Sequence, residues 1–199
     1  VVAIVASAWA TAGQEVKAAV HAGLLTITLL FAGMVALPRV YLAEDEQGTF
    51  DTLRLWAEPV AVFWGKFLFC ALQMSLTAAL LSILYLGLTG VNTAEPVLLA
   101  VALIFEAITI AASLALCGSL SIGAANRWML SSVVGLPLLL PQMSLCIGAL
   151  RPVFGQGSIQ TAWTNVFGLA SFAVATAALS PLIVGMLWRL DPGKQERVN

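Results

Sequence analysis

Charge is what this chain has least of. Nine Lys and Arg and ten Asp and Glu make up 10% of 199 residues, against 60% hydrophobic. A soluble domain carries roughly 25% charged residues, so an ordinary water-facing surface is excluded, as the mean hydropathy of +0.97 also indicates. The net charge of −1 leaves no basic footprint for nucleic acid. One histidine, His21, rules out a His-rich metal cluster. The three cysteines, Cys70, Cys117 and Cys146, lie inside apolar runs with no CxxC, CxxCH or zinc spacing, and read as small apolar fillers. No GxxxxGK[ST] occurs, so the chain cannot cradle nucleotide phosphates in a P-loop. No HExxH and no Ser or Cys beside a base points to an intramembrane enzyme.

What is present is a series of long apolar runs. Runs near twenty residues match a hydrocarbon thickness of about 30 Å. Hydropathy predicts spans over 1–11, 18–37, 60–88, 96–122, 129–150 and 161–190. Every backbone amide at membrane depth must find its partner within the protein, so these runs are helices. The expected fold is therefore an all-α integral membrane protein, one permease-like domain built as a six-span bundle. Because residue 1 is Val and the first run is short, the first span is expected to be truncated.

Orientation follows from Lys and Arg in the connections. One side carries Arg39, Arg54, Lys66, Arg127, Arg189, Lys194 and Arg197; the other carries only Lys17 and Arg151. Seven against two places both termini and the 39–59 segment in the cytoplasm. Trp9, Trp64, Trp128, Trp163 and Trp188 fall near predicted span ends, as an interfacial aromatic belt requires.

The charge that exists is concentrated. Arg39 to Lys66 holds eight of the nineteen charged residues. Within it, Gly48 precedes Thr49, a candidate N-cap, and Asp51 sits in the first turn. Phe50, Leu53 and Ala57 recur at helical spacing, with Asp51, Arg54 and Glu58 one position on. Pro59 ends that pattern. The expectation is a short amphipathic helix over 49–58 lying along the cytoplasmic face, preceded by an acidic run, Glu44, Asp45 and Glu46. It reads either as a docking element for another protein or as a solvated connection.

This segment resembles the CcmB family, the permease subunit of the cytochrome c maturation haem exporter. Arg39, Tyr41, Glu44, Gly48, Thr49, Phe50, Asp51, Leu53, Leu55 and Lys66 fill that family's pattern; Pro38 and the stretch Trp56 to Pro59 depart from it. Two further patches, 125–150 and 178–189, are similar to its fifth and last spans. A similar polar segment occurs in ABC-2 type permeases. The resemblance implies an ABC transporter permease subunit of the bacterial inner membrane. It further implies a cytoplasmic CcmA-type ATPase docking on Glu44, Asp45, Glu46, Gly48, Thr49, Phe50, Asp51, Leu53, Arg54 and Glu58. CcmC-type and CcmD-type membrane partners are implied too, with release of the haem-loaded chaperone CcmE at the periplasmic face. No cofactor would bind directly: ATP acts through the partner and haem only indirectly. The alternatives are an ABC-2 permease exporting lipid or polysaccharide, and a membrane scaffold with no transport role.

Inside the bilayer, Glu106 is an acid at mid-span depth, where a charge is costly and points into the bundle, paired or protonated. Thr109 and Ser113 share its helix face. It reads as a gate or proton-sensitive switch, or as a neutral acid bonded to a neighbouring span or subunit. Ala107, Ala111, Ala115, Ser119 and Gly123 form a small-residue row at i+4 spacing, which lets helices approach closely in lipid. His21, near the outer end of the second span, is a weak candidate haem ligand, and Arg151 anchors the last outer loop. Pro137 and Pro141 remove hydrogen bonds from the fifth span.

Overall fold

The computed structural model describes residues 2–11, 17–46, 58–120 and 127–189. Among them every regular element is helical: α1 (Val2–Thr11), α2 (Ala18–Glu46), α3 (Pro59–Thr89), α4 (Pro96–Leu120), α5 (Arg127–Leu150), a 3-10 turn (Pro152–Phe154) and α6 (Ile159–Arg189). Five of these helices, α2 to α6, are long and apolar enough to cross a membrane. The sixth, α1, has ten residues and packs beside α3.

The helix ends follow local chemistry. Pro59 opens α3, where its missing N–H would have no helical partner anyway. Glu58 before it is extended (φ −68°, ψ 141°), as the residue preceding a proline prefers. At the other end Gly90 adopts φ 66° and donates its N–H to the Leu86 carbonyl, a left-handed cap that costs glycine nothing. Ser158 caps α6, its hydroxyl oxygen accepting the Thr161 amide at 3.2 Å. The α3–α4 and α5–α6 connections are tied together: the Ala94 amide donates to the Val153 carbonyl at 3.0 Å.

One boundary differs materially from the sequence reading. The apolar part of α2 ends near Val35, but the helix continues through Pro38 and Arg39 to Glu46. The acidic run Glu44–Glu46 therefore ends a helix longer than its hydrocarbon stretch rather than lying in a loop. Hydropathy marks where the bilayer ends, not where the backbone hydrogen bonding does.

Helix α4 is the axis of the bundle. It packs against α6, α3, α5 and α2, and 67% of its membrane-crossing stretch is buried, against 33–44% in the other four. Its sequence permits this: Ala102, Ala107, Ala111, Ala112 and Ala115 are small enough for four neighbours to close in. The main core joins Leu25 and Leu29 of α2, Met74 and Leu81 of α3, Leu103 and Ile110 of α4, and Leu169 of α6. Outward faces are also apolar, with Leu68, Leu72, Leu76 and Ile83 of α3 exposed. In water that face would aggregate; in a bilayer it meets acyl chains.

Candidate functional site

The membrane interior of the bundle holds a buried polar cluster where α2, α4, α5 and α6 meet. Glu106, Thr109, Ser113, Gln142, Thr26 and Cys146 are all buried. Thr109 and Ser113 donate to the carbonyls of Phe105 and Thr109, one turn back in α4. Thr109 also approaches the Leu169 carbonyl of α6 at 3.3 Å. Ser113 reaches across to Gln142 Oε1 of α5 at 3.4 Å. Thr26 of α2 donates to the Ala22 carbonyl at 2.9 Å and contacts the Cys146 sulfur at 3.4 Å.

Two groups in this cluster are unsatisfied. Both carboxyl oxygens of Glu106 and the Nε2 of Gln142 make no hydrogen bond. The Cys146 thiol lies close enough to interact electrostatically with the Glu106 carboxyl, but the contact falls short of hydrogen-bond geometry. The neighbouring-span group beside the Glu106 carboxyl is the Cys146 thiol of α5. Of the cluster, the sequence singled out Glu106, Thr109 and Ser113. It missed Gln142, Cys146 and Thr26, although an isolated amide in the run LPLLLPQMSLC was a readable signal.

Ala107, Ala111 and Ala115 are fully buried. Ala111 and Ala115 pack with Phe63, Phe67 and Cys70 of α3 and Ala177 of α6, so this part of the row faces helices of the same chain. Ser119 lies in the last turn of α4, and Gly123 lies outside the described residues. Closer approaches occur elsewhere. A Cβ on Gly33 of α2 would sit 2.7 Å from Ile110 of α4, and one on Gly168 of α6 would sit 3.1 Å from Leu145 of α5.

Near the start of α2, His21 is buried rather than presented to solvent. Its Nδ1 shares a 2.7 Å hydrogen bond with the Tyr85 hydroxyl, and its ring packs 5.6 Å from that of Phe154. Arg151 is exposed, and its carbonyl accepts the Phe154 and Gln156 amides that shape the turn. Trp64 and Trp163, in the second turns of α3 and α6, are exposed.

Of the docking candidates, Glu44, Asp45 and Glu46 form the end of α2, and Glu58 is the exposed residue before α3. Gly48, Thr49, Phe50, Asp51, Leu53 and Arg54, and with them the expected amphipathic helix, lie outside the described residues.

A helical bundle with an outward apolar shell, an apolar core and five helices long and apolar enough to cross a membrane defines a multi-pass membrane protein. A family model described as CcmB protein matches residues 1–190, and the chain belongs to that family. It is accordingly a membrane component of the cytochrome c maturation haem exporter, an ABC transporter complex. The chain matches no curated protein and no solved structure.

Proposed function

We propose that this subunit converts ATP hydrolysis by a separate cytoplasmic ATPase of CcmA type into release of haem-loaded CcmE at the periplasmic face. The family match over residues 1–190 carries this reading. The division of labour has its own support in the sequence, which contains no P-loop and so requires another subunit to hold the nucleotide. The 44–58 segment is the contact for that ATPase: it concentrates acid and apolar residues between two membrane spans. The subunit crosses the bacterial inner membrane six times with both termini in the cytoplasm, alongside CcmC-type and CcmD-type partners. It binds no cofactor itself; haem concerns it only through the partners.

The experiment is genetic. Cells that keep the other components but lack this chain should make no holo-cytochrome c and should accumulate haem-loaded CcmE. Normal cytochrome c levels, or CcmE left without haem, would contradict the reading.

A further inference from the structure

The buried hydroxyls of the bundle share one solution. Thr26, Thr28, Ser82, Thr109, Ser113, Thr176 and Ser180 each donate to a carbonyl three or four residues back. Glu106 and Gln142 are the exceptions, fully buried and with free polar atoms. An acid used only as a structural bridge would be expected to hold something. Here it carries the cost of burial with only the Cys146 thiol beside it and no bond of hydrogen-bond geometry in return. Its depth makes the cost greatest. Ten residues separate it from Pro96 at the start of α4, about 15 Å at 1.5 Å per residue, the middle of a hydrocarbon layer of about 30 Å.

The free groups also define what the site can take. Calcium or a similar hard cation needs about six oxygen ligands. The Glu106 oxygens are the cluster's anionic donors; the hydroxyls of Thr26, Thr109 and Ser113 and the Gln142 oxygen are neutral and engaged in hydrogen bonds of their own. Among the described residues no cluster of three His, Cys, Asp or Glu exists to hold a metal. The cation that fits a lone carboxyl is a proton. Donors are at hand for the charged form as well: the Cys146 thiol stands beside the carboxyl, and the Gln142 amide is one helical turn from Cys146 on the same face of α5.

We propose that Glu106 is a proton-binding site at the centre of the bundle, which takes up a proton from water and returns it to water. The step is a simple protonation: carboxylate plus proton gives the neutral acid, with no redox change. From α5 the titratable neighbour is Cys146. From α2 Thr26 reaches the cluster, and from α6 the Leu169 carbonyl. On α3, Tyr85 is engaged with His21 about two turns nearer the outer end.

Infrared difference spectroscopy of the intact complex in lipid nanodiscs tests this. Wild type minus Glu106→Gln isolates the acid C=O stretch of Glu106. That band should shift down within minutes of transfer to deuterated water and fade reversibly as pH is raised. A band that neither shifts nor responds to pH is a sealed structural acid and overturns the proposal. Should Glu106→Gln fail to assemble, dicyclohexylcarbodiimide, which labels neutral carboxyls in apolar surroundings, is applied to the wild-type complex. Mass spectrometry should find Glu106 modified, less so at high pH; absent or pH-independent labelling overturns it equally.

Discussion

His21 Nδ1 and the Tyr85 hydroxyl lie 2.7 Å apart, joining α2 to α3 beside the Phe154 ring of the outer turn. Both residues are buried, so the pair fastens three elements at one end of the bundle. Interhelical hydrogen bonds in membranes average about 0.6 and reach about 1.7 kcal/mol. Tyr85→Phe should therefore lower stability by about that range, read as a fall in the thermal unfolding midpoint in detergent. His21→Ala should lower it at least as much and leave the haem content of the purified complex unchanged. A haem spectrum that vanishes in His21→Ala alone would instead make His21 a ligand.

Gly33 and Gly23 lie on the same helix but in different surroundings. A methyl at Gly33 meets Ile110 at 2.7 Å, whereas one at Gly23 meets nothing within 4 Å. Gly33→Ala should cost about 1–3 kcal/mol, the ordinary penalty of overpacking. Gly23→Ala should be close to neutral. Equal thermal stabilities for the two variants would show that α2 and α4 do not approach as described.

The free Nε2 of Gln142 predicts an unusual result for a core substitution. Gln142→Leu removes an unsatisfied donor and keeps similar bulk, so stability should hold or rise by about 1–3 kcal/mol. The check is the thermal midpoint of the assembled complex. A fall of more than about 1 kcal/mol would mean that Nε2 has a partner or that the long Ser113 bond to Oε1 matters more than the free donor.

The three native cysteines are buried, so single introduced cysteines report sidedness against a quiet background. Glu46→Cys and Glu58→Cys should react with a membrane-impermeant maleimide only in inverted vesicles. Arg151→Cys should react from outside in intact spheroplasts. Labelling of all three from one side would refute the proposed orientation.

The sequence announced its class because hydropathy reflects the bilayer directly: the spans starting at Ala18, Val60 and Pro96 agree with the helix starts within one residue. It did not reveal that α2 runs on past its apolar stretch, where backbone bonding carries the helix to Glu46. Glu106 was visible as an acid in an apolar run, whereas its neighbours were not. Thr26, Gln142 and Cys146 come from two other helices, and no one-helix periodicity reports which faces of separate spans meet. His21 shows the same limit: its partner Tyr85 is 64 positions away, and an interfacial position alone gave no hint of burial.

The account stands most directly on contact between the 44–58 segment and an ATPase. Affinity purification of this chain from native membranes, with the ATPase quantified alongside, measures it. Wild type should bring down the ATPase in constant proportion, and Leu53→Pro, which breaks the helix expected there, should lose it while CcmC-type and CcmD-type partners remain. Undiminished ATPase recovery with Leu53→Pro, together with normal cytochrome c production, would contradict the account.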